Sequence, residues 1–247
     1  AASDVYKRQV YVNWTVCGST VSSASVPLYL NLSNPVSAVL TIVRSRLTAP
    51  DDDARLPPII VATASALQLT VYFDDGTSRD LSSDSRVSYA VSEPACASVS
   101  DETDSIAISS GANGAGCSSV TANAFVNLGA YTFEPVASRP LVYLDRIELD
   151  FVGYPSNNAG ISLTDLYLLE CLTSTYQHAA ARVRAFLDDN PTLAYTVTSQ
   201  STIGSDDVGV VEPSGSRLSA LSAGAALISA QFGTSPSVAS ATLTVHD

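Results

Sequence analysis

The sequence lacks features that mark several classes of protein. Its 247 residues include no methionine, one tryptophan and 12 Lys and Arg against 24 Asp and Glu, for a formal net charge of −12. A nucleic-acid-binding protein needs a basic face that neutralises phosphates, and binding to anionic lipid needs a polybasic segment. The charge therefore argues against both partners. Because no run of about 18 apolar residues occurs, the sequence also predicts no transmembrane helix.

Cysteine and histidine are scarce, and their spacing is unlike that of zinc ligands. The two histidines, His178 and His246, lie far apart, and the cysteines form no C-x-x-C pair. The four cysteines are Cys17, Cys96, Cys117 and Cys171. Widely spaced cysteines are typical of disulfides in an oxidising compartment, which favours an extracellular or cell-surface location.

Alternation of apolar and polar residues is the dominant pattern along the chain. Clear examples are VYVNWTV from Val10, PLYLNLS from Pro27 and LQLTVYF from Leu67. A period of two indicates half-buried strands. Since Gly, Pro, Asn and Asp separate these runs at short intervals, the sequence predicts an all-β protein built as a sandwich.

The chain also repeats itself. LTVYFDDG in the first half matches VRAFLDDN in the second, and each is an apolar strand that ends in Asp-Asp. The match continues to Tyr89 and Tyr195 on a following strand, and to Phe125 and Phe232 near the end of each repeat. A period of roughly 100 residues is too long for a solenoid, so each unit is expected to have its own core.

This order of motifs resembles the bacterial-Ig-like domains of the group 2 type. The shared pattern is a strand, a D-G or D-N turn, a strand with an aromatic residue and a closing segment such as GAALISA, and it covers residues 36–134 and 141–246. Tyr89 and Tyr195 stand where the family usually has tryptophan. Such domains occur in tandem in adhesins, surface-layer proteins and flagellar hairs. The resemblance implies two tandem immunoglobulin-like sandwiches in an extracellular structural or adhesive protein.

The repeat makes two further predictions. YQHAAARVRAFL from Tyr176 and the segment from Arg217 to Ala230 favour helices by composition, but the repeat places strands there. Cys96 and Cys117 fall within one proposed domain, so we expect them to form a disulfide. Cys17 and Cys171 then pair with each other, or each pairs with another chain.

Residues 10–35 precede the two proposed domains and contain surplus strands. Amphipathic strands need partners for their apolar face and their amides. These strands complete sheets of their own chain, end a preceding Ig-like repeat, or insert into a neighbouring subunit as in the donor-strand exchange of pili. For insertion, the subunit-interface residues are Val10, Val12, Trp14 and Val16. Head-to-tail insertion does not close on itself, so it predicts a fibre made of copies of this chain.

Acidic clusters and sequons are the remaining candidate sites. Asp51, Asp52 and Asp53 are the best-placed candidates for Ca²⁺, although Asp pairs are also typical of turns. Asn13 and Asn31 begin N-x-[ST] sequons and are candidate glycosylation sites in a eukaryotic secretory source. Glycans are also a candidate partner, and Trp14 is of a type that stacks on sugars, although the alternation places it on the apolar face of a strand.

Catalytic chemistry has little support in the sequence. No G-x-S-x-G elbow occurs and no pair of carboxylates is positioned by a motif, so we expect no enzyme and no cofactor. His178 is interpreted as a structural residue. The leading hypothesis is a subunit of an extracellular filament that polymerises by strand donation. The alternative is a fragment of a longer multi-Ig adhesin or cell-wall protein.

Residues 4–9, Asp-Val-Tyr-Lys-Arg-Gln, differ from the acidic remainder. GAT-GTG-TAT-AAG-AGA-CAG encodes them, and this is the mosaic-end sequence used in building sequencing libraries. Residues 1–9 are therefore interpreted as adapter-derived, from environmental or bulk sequencing, and excluded from fold reasoning. Native sequence is then expected to begin near Val10.

Overall fold

The computed structural model describes residues 6–10, 13–17, 19–22, 26–30, 33–100, 102–155, 161–234 and 238–247. All regular elements in these ranges are strands, apart from two short 3₁₀ turns at Asp53–Arg55 and Thr198–Gln200. The prediction of an all-β fold with Ig-like sandwiches is confirmed. No helix in the described ranges has the length and apolar character needed to cross a membrane.

The first four strands form a hairpin. β1 pairs with β4 and β2 pairs with β3, both antiparallel, and Cys17 lies in the turn between β2 and β3. These strands are β1 (Tyr6–Val10), β2 (Asn13–Val16), β3 (Ser19–Ser22) and β4 (Val26–Leu30). Among the described residues, no backbone ladder joins the hairpin to the sheets that follow.

The first sandwich consists of two sheets. One has the order β5-β6-β10-β9, with β7 also on β6, and in the other β8, β12 and β13 all pair with β11. The strands are β5 (Pro35–Ile42), β6 (Ala64–Phe73), β7 (Ser78–Asp80), β8 (Val87–Val91), β9 (Ala97–Ser100), β10 (Ser105–Ile108), β11 (Ser119–Leu128), β12 (Tyr131–Phe133) and β13 (Val136–Pro140).

The second sandwich repeats the strand order of the first sheet, but its other sheet contains two strands, β15 and β16, without a counterpart in the first sandwich. One sheet has the order β14-β17-β21-β20, with β18 on β17, and the other has the order β16-β15-β23-β22-β19. The strands are β14 (Leu144–Gly153), β15 (Asp165–Glu170), β16 (Thr175–Tyr176), β17 (His178–Leu187), β18 (Asn190–Thr196), β19 (Ser201–Ser205), β20 (Val211–Ser214), β21 (Arg217–Ala220), β22 (Gly224–Phe232) and β23 (Val238–His246).

Alternating burial along the central strands forms each core. On β6, Leu67, Leu69 and Val71 are buried while the residues between them face outward or lie at the margin. β17 departs from strict alternation, because Ala179, Ala180 and Ala181 are all buried. Its small side chains suit a central strand that is covered on both faces, so tertiary contacts override the helical composition of this segment.

The structure refines two details of the sequence match. Tyr89 lies on β8, which pairs with β11, whereas Tyr195 lies on β18, which pairs with β17, so these tyrosines occupy different sheets. Phe125 is 45% exposed, while Val126 and Phe232 are buried. Burial therefore matches Val126 with Phe232, one residue later than the sequence match.

Candidate functional site

The two sandwiches meet end to end, and this junction is the most elaborate site in the described residues. We call the end of a sandwich where its first strand begins the leading end, and the opposite end the trailing end. Residues 43–63 connect β5 to β6 at the trailing end of the first sandwich. Val142 N donates to Leu47 O at 2.8 Å, which fixes this connection to the linker between the sandwiches.

An apolar cluster fills the centre of the junction. Ala54 and Val61 from the 43–63 connection pack with Val142 of the linker and Leu187 at the end of β17. Three of these four residues are at most 1% exposed. Because each sandwich and the linker contribute to one buried cluster, separating the sandwiches would expose apolar surface to water.

Asp52 accepts three hydrogen bonds at the junction, two from backbone N–H groups and one from a side chain. Its Oδ1 accepts from Ala54 N at 2.8 Å and from Leu144 N, the first residue of β14, at 3.0 Å. Its Oδ2 accepts from Asn113 Nδ2 at 3.2 Å. Burial raises the pKa of Asp52 above its usual value, and the charge of Asp53 acts in the same direction, while the three hydrogen bonds oppose this shift.

Asp53 and Asp51 make equally specific contacts. The Asp53 side chain is almost fully buried, and its Oδ1 accepts from Thr234 N at 3.2 Å in the turn after β22. Gly233 allows this approach, because a Cβ built on it would lie 2.3 Å from Asp53 Cγ. Asp51 Oδ2 accepts from Gly111 N at 2.8 Å within the first sandwich. Asp51 and Asp52 thus both contact the loop that contains Gly111 and Asn113, while Asp52 also binds Leu144 N and Asp53 contacts the turn after β22.

The repeated Asp-Asp motif holds the chain where it runs into each sandwich. In the second sandwich Tyr143 N donates to Asp188 Oδ1 at 3.0 Å, and Asp188 N donates to Tyr143 O at 3.1 Å. In the first, Asn34 N donates to Asp74 Oδ1 at 3.0 Å, and Asp74 N donates to Asn34 O at 2.9 Å. The same pair of hydrogen bonds therefore forms a clamp at both leading ends.

Each clamp is reinforced by neighbouring side chains. Tyr143 Oη donates to Cys117 O at 2.7 Å, and burial together with nearby carboxylates raises the pKa of Tyr143 to about 12. Arg46 pairs with Asp189 at 3.0 Å across the junction. At the other clamp, hydrogen bonds from Ser33 and Thr77 lower the pKa of Asp75 to about 2.

The predicted cysteine and glycosylation sites are placed as follows. Cys96 and Cys117 form a disulfide that joins the start of β9 to the start of β11, and so ties the two sheets of the first sandwich. Cys17 and Cys171 are unpaired and exposed. Asn13 is exposed on β2, and Asn31 lies outside the described residues.

The predicted donor residues belong to the N-terminal hairpin. Val10 lies on β1, Trp14 and Val16 lie on β2, and Val12 is outside the described residues. Strand donation therefore has to use the unpaired edge of this hairpin, or displace β3 from β2.

Within the described ranges, no cluster of three or more His, Cys, Asp or Glu is arranged to hold a metal ion. A cation at Asp52 or Asp53 would compete with the hydrogen-bond donors described above, and calcium binding there stays a prediction. His178 Nε2 lies 3.0 Å from Arg217 Nη2, and burial lowers its pKa. Sequence reasoning missed the junction role of Asp188 and Asp189, for which the repeated Asp-Asp motif was the available signal.

Comparison with known proteins gives similarities to solved structures alone. No family model matches the sequence, and no curated protein matches it. The S-layer protein rSbsC aligns over 96% of this chain and 32% of its own, with 16% identity and a TM-score of 0.47. The extracellular domain of protocadherin gamma B4 aligns over 98% and 38%, with 16% identity and a TM-score of 0.29. The human protocadherin-24 EC1-2 fragment aligns over 87% and 99%, with 10% identity and a TM-score of 0.31. The chain spans about a third of the length of the first two.

Proposed function

We propose that the chain is a structural subunit of an extracellular filament or surface appendage, assembled head to tail. The observation that carries this proposal is the junction. A buried apolar cluster joins the trailing end of one sandwich to the leading end of the next. Asp52 and Asp53 add hydrogen bonds that they accept from Leu144 N and Thr234 N of the second sandwich. Such an arrangement transmits force along a line of sandwiches, which is what a filament subunit must do.

The N-terminal hairpin supplies the means of assembly in this proposal. A two-stranded hairpin is marginally stable in water and gains stability by adding to another sheet. In the chain it directly precedes the leading end of the first sandwich, where Asn34 is clamped by Asp74. The hairpin therefore extends a neighbouring subunit's sheet by β-augmentation, and the contact repeats without closing.

Paired sets of substitutions test this role. The four apolar residues Val10, Val12, Trp14 and Val16 are replaced together by Ser or Thr, and the control carries Asn13→Ala and Thr15→Ala on the other face of the same strand. We expect the first variant to fold, judged by its circular dichroism, but to stay monomeric in light scattering. The control is expected to assemble as the unchanged chain does. Assembly of the first variant would contradict strand donation.

A second candidate function is a segment of a longer multi-Ig adhesin or cell-wall protein. The junction itself favours this candidate, because it shows a trailing end and a leading end that pack together within one chain. Further copies of the same junction could extend one long chain as readily as they could join separate chains. Further Ig-like repeats encoded next to this segment in the complete gene would support this candidate over the filament subunit.

A further inference from the structure

One edge of the central strand is left open at the same place in both sandwiches. β6 pairs with β10 through residues 64–66 and with β7 through residues 70–72, which leaves a gap between these two partners. β17 pairs with β21 through residues 178–180 and with β18 through residues 184–187, and it leaves the equivalent gap. A cleft opens at each gap, of about 420 Å³ in the first sandwich and about 450 Å³ in the second. We call them the first cleft and the second cleft.

Two hydrogen bonds frame each cleft in the same way. One joins the central strand to the turn before β10 or β21, and the other joins it to a hydroxyl two residues after β7 or β18. In the first cleft these bonds run from Leu67 N to Asp104 O at 2.7 Å and from Leu69 N to Ser82 Oγ at 2.9 Å. In the second cleft they run from Ala181 N to Ser216 O at 2.7 Å and from Val183 N to Thr198 Oγ1 at 2.9 Å. The two clefts can therefore be compared residue by residue.

Carboxylates of the chain itself satisfy the hydroxyls of the first cleft. Asp80 Oδ1 accepts from both Ser82 Oγ and Ser82 N, and Asp104 Oδ2 accepts from Ser83 Oγ. The hydrogen bonds from Ser82 lower the pKa of Asp80, so its carboxylate stays charged near neutral pH. The donors of these two hydroxyls are therefore already used inside the first cleft.

The second cleft has hydroxyls in place of both carboxylates. The strand register puts Thr196 at the position of Asp80, and the turn puts Ser216 at the position of Asp104. The Thr198 hydroxyl meets a backbone carbonyl oxygen at 3.4 Å, where its counterpart in the first cleft meets a carboxylate. The second cleft thus presents hydroxyl groups that the first cleft pairs internally.

The second cleft is also electrically balanced and well enclosed. Arg182 lies where the first cleft has Gln68, and its Nε donates to Asp150 Oδ1 on β14 at 2.9 Å. The charge that Arg182 brings to the lining is therefore compensated by its neighbour. At the base, Val152 is 3% exposed, whereas its counterpart Val43 is 55% exposed, so the walls of the second cleft cover its base more completely.

We propose that the second cleft binds a neutral carbohydrate, such as one unit of a surface glycan. Each hydroxyl of a sugar both donates and accepts hydrogen bonds, and the hydroxyls of Thr196, Ser199 and Ser216 match both roles. The cleft has the volume typical of small-molecule sites, and its balanced charge favours a neutral ligand over an anion. This inference goes beyond the filament function, because it adds a ligand to a structural subunit.

Saturation-transfer NMR with the methyl glycosides of glucose, galactose, mannose and N-acetylglucosamine tests this site. We expect saturation to pass from the unchanged chain to at least one of these sugars. Thr196→Asp/Ser216→Asp rebuilds the carboxylates of the first cleft and is expected to lower the affinity at least about tenfold, because internal hydrogen bonds then compete with the sugar. The control Thr192→Asp/Thr202→Asp adds the same charge at exposed positions of the same sandwich, and it is expected to bind as the unchanged chain does.

Circular dichroism checks that each variant is folded. If the aspartate pair unfolds the chain, Thr196→Ala/Ser216→Ala removes the hydroxyls without adding charge and is expected to show the same loss. No transfer to any of the sugars would overturn the inference, and so would transfer confined to methyl galacturonide, which would reveal an anion site. An equal loss in the control would place the sugar outside the second cleft. None of these results bears on the filament function, which light scattering of the hairpin variant tests separately.

Discussion

At the scale of single residues, the aspartates of the junction matter most. Asp52 satisfies three donors from a buried position, and one of them, Leu144 N, belongs to the second sandwich. Asp53 reaches the same sandwich through Thr234 N. Sequence patterns favour turns or calcium for an Asp triplet, and no local signal shows that distant loops supply the donors. The contacts of Asp52 and Asp53 with the second sandwich could therefore not be predicted from the sequence.

Replacing Asp52 tests the junction. Asp52→Ala leaves buried donors without an acceptor, so we expect a loss of about 1–3 kcal/mol in the free energy of unfolding, measured in urea. Asp52→Asn keeps one oxygen for Ala54 N and Leu144 N, and it is expected to cost less. Equal losses in the two variants would show that the hydrogen bonds do not account for the effect.

The stability difference between Asp52→Asn and the unchanged chain is expected to depend on pH. Because burial raises the pKa of Asp52 in the folded state, the folded state binds more protons than the unfolded state above the usual value of 3.8. The contribution of Asp52 to stability therefore falls as pH rises from about 4 toward neutrality. Asp52→Asn lacks this contribution, so its stability relative to the unchanged chain is expected to improve between pH 4 and pH 7. A relative stability that does not change, or that worsens, would contradict the raised pKa.

A substitution at Gly233 tests how closely Asp53 packs against the turn after β22. Gly233 and Gly215 both have positive φ angles, of 67° and 59°, and alanine is strained at both by roughly 1–2 kcal/mol. At Gly215 an added Cβ meets nothing within 4 Å, but at Gly233 it would collide with Asp53. We expect Gly233→Ala to lower the melting temperature more than Gly215→Ala. Equal shifts would mean that the Asp53 contact is not tight.

At the scale of elements, strand positions were largely predictable and strand partners were not. The alternation in LQLTVYF and the Asp-Asp repeat locate β6 and β17 correctly, because one face of each strand must be buried. Tyr89 and Tyr195 look equivalent in sequence, yet they lie on different sheets. Pairing depends on where the chain crosses between sheets, and a periodic pattern contains no information about that crossing.

At this scale, the disulfide is the feature whose removal is expected to lower the free energy of unfolding most. Cys96 and Cys117 enclose a loop of sequence separation 21 and link the two sheets of the first sandwich. Removing both with Cys96→Ala/Cys117→Ala is expected to cost about 3 kcal/mol, because the unfolded chain regains the entropy of an open loop. Thermal unfolding measures this loss, and Cys17→Ala/Cys171→Ala is the matched control. A control that loses as much stability would contradict the assignment.

At the scale of the whole molecule, the two sandwiches form an end-to-end pair with unlike poles. The leading pole carries the Asp74 clamp and the N-terminal hairpin, and the trailing pole carries exposed apolar residues near Cys171. A contact between unlike poles is heterologous, and the proposed filament requires such a contact to extend into a line of copies. The sequence predicted surplus strands and an internal repeat, but only the folded chain shows that one sandwich packs on the next through the 43–63 connection.

Electron microscopy of the purified chain tests the central claim of head-to-tail assembly most directly. We expect single-file filaments with an axial repeat of roughly 65 Å, the combined length of two ten-residue strands in successive sandwiches. The variant with Val10, Val12, Trp14 and Val16 replaced is expected to give separate particles on the same grids. Separate particles from the unchanged chain at every concentration would contradict the account.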